Sequence, residues 1–325
     1  MNRPYRADPI LQPDNRRFTL HPIRYPHLWK AYKTAQSMFW TAEDVLDATA
    51  DTSDWNDILS EEDRRFISTM LTWLTYSQRG IGTASADLIA RFCAEVQIPE
   101  ARCFYGFQIM AINIHKEAYT AILLDLVPEA SDRNNSVDAL KSEYVLTSKR
   151  EWMSQWVMDR HKPFPVRLLA LAVAQSILSS TATASLFWLC TRAHLPAVAQ
   201  AHQLATQDQA LHATFSVLLY RSLHDEVNLI WVKEIILAAV HLEQFFWDSL
   251  VRSQSHDALN ITTMDNYIEH VADRLLDALN LPPMFSKANP FPFVPTTAIV
   301  GRAIPETPTY PTSPTQSVDT YDSDL

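Results

Sequence analysis

The stretch from Ala90 to Tyr119, ARFCAEVQIPEARCFYGFQIMAINIHKEAY, decides the fold. Pro99-Glu100 reads as a helix start, because a first turn tolerates proline and the macrodipole favours an acid there. From Pro99 the helical pattern runs to about Val127. Tyr119 follows His115 by four residues, which puts both side chains on one face of that helix.

Working outward, the same pattern recurs on both sides. A helix is expected around Leu28 to Phe39, and Thr41 in the string WTAEDV offers a helix cap. Ser60-Glu61-Glu62-Asp63 opens a helix running toward Tyr76, and the pattern resumes after Gly82. Further helices are expected over about 140–161, 165–191, 196–223, 226–253 and 263–279. Long helices joined by short connections form a bundle.

Composition supports an all-α protein. The 325 residues contain only four glycines, at Gly80, Gly82, Gly106 and Gly301. Hairpins and phosphate-cradling loops lean on glycine, so this chain is not β-rich, and it carries no GxGxxG or GxxxxGK[ST] string. The formal net charge of −10 argues against a nucleic-acid surface. Three cysteines without CxxC spacing fit free thiols in a reducing compartment, and the N-terminus has no apolar signal segment. A cytoplasmic location is the expectation. Leu168 to Cys190 is uncharged and long enough to cross a bilayer, but Gln175, Ser176, Ser179, Ser180, Thr181, Thr183 and Ser185 fit a helix buried among helices, so no membrane span is expected.

Near Leu281 the composition shifts. Nine of the 19 prolines lie at or beyond Pro282, interleaved with Thr and Ser. This predicts a flexible tail over 286–325, ending in the acidic segment Val318 to Leu325.

Several strings resemble the eukaryotic type of ribonucleotide reductase small subunit. They are NRRFTLHPIRYPHLWKAYKTAQSMFWTAEDV from Asn15, the stretch from Ala90 quoted above, SLFWL at Ser185 to Leu189, and TQDQALH at Thr206 to His212. The resemblance covers roughly residues 15 to 285. It implies a ferritin-like helical bundle, usually homodimeric, over 21–285, preceded by an N-terminal arm over 1–20. It also implies two irons or manganeses held by one Asp, three Glu and two His, which oxidise a nearby tyrosine whose radical passes to a separate large subunit.

Carried over residue by residue, the metal shell is mostly missing. The first Glu-x-x-His position reads Ile112-Asn113-Ile114-His115, and the second reads Gln209-Ala210-Leu211-His212. The Glu expected on the 165–191 helix is Gln175, and the family's Asp aligns with Ile81. Asp87, six residues on, is turned about 240° away on a helix and is a poor substitute. His115 and His212 remain, but two imidazoles without carboxylates do not suit a pair of hard dications. No metal cofactor is therefore expected.

By the same resemblance Tyr119 stands at the radical tyrosine, while Asp208 and Trp29 stand at the relay toward the large subunit. Ser179 and Thr183 stand where relatives ring that tyrosine with phenylalanine, and the tail tyrosine of the radical path aligns with Ala303, near Tyr310. The terminal Thr320, Tyr321, Asp322, Asp324 and Leu325 resemble the family's docking peptide for the large subunit. The reading is thus a non-catalytic partner in deoxyribonucleotide synthesis. It would be a homodimer, or a heterodimer with an active small subunit, and would dock through its tail. Two alternatives stand beside it: a small subunit bearing a metal-independent tyrosyl radical, and an oxidoreductase recruited to a specialised pathway.

Overall fold

The computed structural model describes residues 8–45, 51–77, 85–142, 144–254 and 259–301. Among them there is no strand, as the scarcity of glycine predicts. Twelve α-helices are seen: α1 (Pro26–Ser37), α2 (Asp51–Asp57), α3 (Glu61–Ser77), α4 (Ala86–Glu95), α5 (Pro99–Leu126), α6 (Ala130–Ser142), α7 (Tyr144–Met153), α8 (Phe164–Ile177), α9 (Ser180–Leu189), α10 (Pro196–Arg221), α11 (Leu229–Gln254) and α12 (Ile261–Ala278). α5 packs against α1, α3, α4 and α10, while α10 also packs against α8 and α8 against α11 and α12.

Local chemistry explains the ends of several helices. α5 and α10 each begin with proline in the first turn. Ser60 accepts a hydrogen bond from the Asp63 N–H at 3.1 Å and so caps α3. α12 stops at Leu279 because Asn280 takes the left-handed conformation, at φ 59°. The Leu281 N–H then reaches back to the Leu276 carbonyl at 2.8 Å, and the Asn280 N–H to the Asp277 carbonyl at 3.0 Å. Asparagine supplies here what glycine supplies in most such terminators.

The most apolar segment is the centre of the bundle. In α8 every residue but Gln175 and Ser176 is buried, and in α9 all ten are. The stretch Phe164–Leu189 is long and apolar enough to cross a membrane, but its most apolar window is 89% buried inside the bundle. A helix that is apolar all round belongs in such a core.

Three elements differ from expectation. α2 lies where the sequence pattern gives no helix, and α6 starts at Ala130, ahead of the helix expected over about 140–161. The single helix expected over 165–191 is two, broken at Leu178 and Ser179. A buried ion pair holds the break. Lys149 Nζ donates to the Leu178 carbonyl at 3.0 Å and to Glu243 Oε2 at 2.6 Å. Glu243 Oε1 accepts from the Thr181 N–H at 3.1 Å and its hydroxyl at 2.6 Å. The two charges that stabilise the break come from α7 and α11, so the uncharged 168–190 window shows no sign of it.

The first and last described segments, from Asp8 and up to Gly301, are tied to the bundle. Asp8 accepts from the Ile10 N–H at 2.9 Å and the His224 N–H at 2.6 Å. Glu100 is fully buried at the start of α5, accepts from the Arg24 N–H at 2.7 Å, and pairs with Arg17 at 2.6 Å. Past α12, Asp273 accepts from the backbone N–H groups of Met284, Phe285 and Lys287. The segment 286–301, expected to belong to a flexible tail, buries Phe291, Val294 and Val300 against the core. Apolar residues between the prolines give it something to bury. The remainder of that tail, with Ala303, Tyr310 and the docking residues Thr320, Tyr321, Asp322, Asp324 and Leu325, lies outside the described residues, as does Ile81.

Candidate functional site

α5, α8 and α10 bring most of the residues singled out in the sequence into the middle of the bundle. His115 and Tyr119 on α5 are both buried, as are Asp208 and His212 on α10. The His115 and His212 rings face each other with centroids 6.1 Å apart and planes 29° apart. The edge of Phe104 closes on His212 at 6.1 Å. Burial lowers the His212 pKa to about 3, against the opposing pull of Asp208, so the ring is neutral at ordinary pH.

Asp208 is the carboxylate of this region, and its Oδ2 accepts two hydrogen bonds. His115 Nε2 lies 2.8 Å away and Trp40 Nε1 2.9 Å away. Trp40 also stacks on His115, with centroids 5.7 Å apart and planes 17° apart. The expected Asp–His–Trp set is present, but its indole is that of Trp40, not Trp29. Trp29 sits on α1 against Tyr32 and His21, with ring centroids 5.1 and 6.3 Å away. The reason is local. α1 ends at Ser37, and the short turn after Thr41, held by the Thr41 N–H to Asp44 Oδ2 bond at 2.8 Å, turns Trp40 inward.

Ile112, Gln175 and Gln209, read in the sequence as standing at the family's carboxylate positions, are neutral side chains. Ile112 is buried, one turn before His115. Gln175 Oε1 accepts from the Ser216 hydroxyl at 2.8 Å, while its Nε2 is buried without a partner. Gln175 and Gln209 line a narrow cavity of about 20 Å³ together with Ser179 and Thr183, and Ile299 and Val300 also line it. Asp87 is exposed on α4 and takes no part. Among the described residues, no group of three or more His, Cys, Asp or Glu is placed to hold a metal ion. Two imidazoles, two carboxamides and an isoleucine do not fit two hard dications, which need an anionic oxygen shell to balance their charge.

Tyr119 has a partner that the sequence did not reveal. Its hydroxyl lies 2.9 Å from His202 Nδ1, and His202 Nε2 lies 3.0 Å from the Thr183 carbonyl. Burial pushes the Tyr119 phenol far above its usual range and lowers the His202 pKa to about 4. Thr183 is tied to this pair through its carbonyl, whereas Ser179 is buried beside Gln175 and Gln209 in the narrow cavity. The cysteines are free thiols, and burial pushes Cys190 up to about 12, which makes it a poor nucleophile.

An all-helical bundle with facing imidazoles and a buried tyrosine on its central helices defines the ferritin-like class. Within that class, the family described as "Ribonucleotide reductase, small chain" matches residues 17–290, and the chain belongs to it. The chain is 37% identical over 295 residues to the ribonucleoside-diphosphate reductase small chain of Neurospora crassa, covering 91% of this chain and 71% of that protein. It is 35% identical to human ribonucleoside-diphosphate reductase subunit M2, covering 91% and 74%. Among solved structures, the Rnr4 homodimer of the Saccharomyces cerevisiae ribonucleotide reductase superposes with a TM-score of 0.80 at 29% identity, covering 88% of this chain and 89% of that one. The dimanganese(II) NrdF of Streptococcus sanguinis shares the fold, with a TM-score of 0.73 at 16% identity, covering 87% and 99%.

Proposed function

We propose that this ribonucleotide reductase small-chain homologue is a non-catalytic partner that assembles, stabilises or regulates a reductase in the cytoplasm. The observation that carries the reading is the neutral set of Ile112, Gln175 and Gln209 around His115 and His212. The Ser216 hydroxyl donates to Gln175 Oε1 there at 2.8 Å. A core of this kind folds without metal and suffers no desolvation penalty for uncompensated carboxylates. The bundle would pair with a second copy, as in the related Rnr4 homodimer, or with an active small subunit, and its terminal residues from Thr320 to Leu325 would engage the large subunit. The test is affinity purification of the full chain from its native host, with metal analysis of the product. Copurification of a large or a second small subunit, with far less than one metal per chain, is expected. Two metals per chain, or contact with neither kind of subunit, would overturn the reading.

A second reading is favoured by the Tyr119–His202 bond: a small subunit whose tyrosyl radical is made or received without metal. Mass spectrometry and electron paramagnetic resonance on the native-host protein test it. A tyrosyl signal that disappears in Tyr119→Phe supports it, and an unmodified Tyr119 with no radical signal counts against it.

A further inference from the structure

The geometry points to Tyr119 and His202 as a proton-coupled redox pair, in which one-electron oxidation of the phenol sends its proton along their hydrogen bond to His202 Nδ1. This deepens the second reading above by naming the base.

The direction of the hydrogen bond follows from the partners. A backbone carbonyl only accepts, so the 3.0 Å contact with the Thr183 carbonyl puts the ring hydrogen on His202 Nε2. A neutral imidazole with its hydrogen on Nε2 carries its lone pair on Nδ1. The Tyr119 hydroxyl, 2.9 Å away, is therefore the donor. The pair is enclosed: Tyr119 is 1% exposed and His202 0%, and the Phe187 ring packs at a tilt against the imidazole with centroids 4.5 Å apart. Neither group ionises on its own in such a place, because burial penalises both the phenolate and the imidazolium.

Oxidation changes that balance. A phenol radical cation is a strong acid and must shed its proton as the electron leaves. An enclosed tyrosine without an acceptor has nowhere to put that proton, whereas Tyr119 has an imidazole lone pair in line. In the step, the Tyr119 O–H bond breaks and a His202 Nδ1–H bond forms. One electron passes to an aromatic radical on a partner chain, which is reduced to its closed-shell form. The products are a neutral phenoxyl and an imidazolium. The imidazolium keeps its Nε2–H on the Thr183 carbonyl and donates its new Nδ1–H back to the phenoxyl oxygen. Reduction of the phenoxyl reverses each movement, so the proton never leaves the pair. The arrangement needs no metal, which suits a core where Ile112, Gln175 and Gln209 offer none a binding shell.

The isolated full-length chain tests this, with photogenerated tris(bipyridine)ruthenium(III) as the one-electron oxidant and freeze-quench electron paramagnetic resonance as the readout. A phenoxyl signal that disappears in Tyr119→Phe is expected. In His202→Asn, with folding checked by circular dichroism, the rate of forming that Tyr119 component should fall by at least about a hundredfold, the contribution of a positioned base. Two readouts on the unmutated chain cover the case in which the variant misfolds. The component should form more slowly in deuterium oxide, and protein labelled with 15N-histidine should show a nitrogen hyperfine coupling to the phenoxyl. A Tyr119 signal formed at an undiminished rate without His202, or lacking both the isotope effect and the coupling, would overturn the pair and leave the radical reading intact. Absence of any Tyr119-dependent signal would overturn the pair as well. The native-host measurement still decides the radical reading, because a partner-bound chain can be oxidised by routes the isolated chain lacks.

Discussion

Two polar clusters share the core of this bundle, and they handle buried charge in different ways. Between α7, α9 and α11, the Lys149 ammonium faces the Glu243 carboxylate at 2.6 Å. Both groups have further partners: Leu178 takes a second ammonium proton, Thr181 bonds the other carboxylate oxygen, and the rings of Phe246 and Trp73 flank the ammonium at 3.7 and 4.6 Å. Between α5, α8 and α10, Ile112, Gln175 and Gln209 are neutral, and Asp208 is bonded to His115 and Trp40. Charge is kept in both clusters where fixed partners surround it, and Ile112, Gln175 and Gln209 contribute none. Burying an unpaired charge costs several kcal/mol, so a carboxylate without a partner at Ile112, Gln175 or Gln209 would destabilise the second cluster.

The comparison can be broken most sharply at the ion pair. Lys149→Met leaves Glu243 buried without its counter-charge and should cost about 4 kcal/mol in urea unfolding, with the double variant Lys149→Met/Glu243→Gln recovering part of that loss. The opposite experiment adds a charge to the neutral cluster. Ile112→Glu should cost about 3 kcal/mol at neutral pH, and the loss should shrink as the pH falls and the buried carboxyl takes up a proton. An Ile112→Glu variant as stable as the parent at neutral pH would remove the physical basis for an adapted empty core.

Glu100 sharpens the comparison from a third position. Burial alone would raise its pKa, but the Arg24 and Tyr25 N–H groups and the Arg17 guanidinium bring it below the ordinary 4.5. A lowered folded value means that the stabilisation is fully present above pH 4.5 and is lost as the pH falls through that lower value. Glu100→Gln should cost about 2 kcal/mol at neutral pH and flatten this acid limb in pH-dependent denaturation. The smallest effect belongs to the indoles. Trp40→Phe removes one donor to Asp208 and should cost about 1.5 kcal/mol, whereas Trp29→Phe should leave the Asp208–His115 bond intact and cost no more than about 0.5 kcal/mol.

Much of this was legible in the sequence because helices announce themselves locally. Pro99-Glu100, Ser60 and the spacing of His115 and Tyr119 each depend on residues a few positions apart, and the structure places them as read. The illegible parts depend on residues far apart in the chain. His202 reaches Tyr119 across 83 positions, and Glu243 reaches Thr181 across 62. Neither has a spacing that would flag it. Trp40 was available, directly after α1 in FWTAE, but only the turn at Thr41 shows that it and not Trp29 faces Asp208. The split between α8 and α9 was hidden because nothing between Leu168 and Cys190 breaks a helical pattern.

That split has a mechanical consequence. α8 carries Gln175, with its carboxamide on Ser216, and α9 carries Thr183, whose carbonyl orients His202. The two half-helices are joined at a kink whose loose backbone groups are splinted by Lys149 and Glu243. Removing the splint would loosen the junction through which the two segments keep their relative orientation. The neutral cavity and the tyrosine's imidazole would then fall out of register together, although no residue of either had been changed.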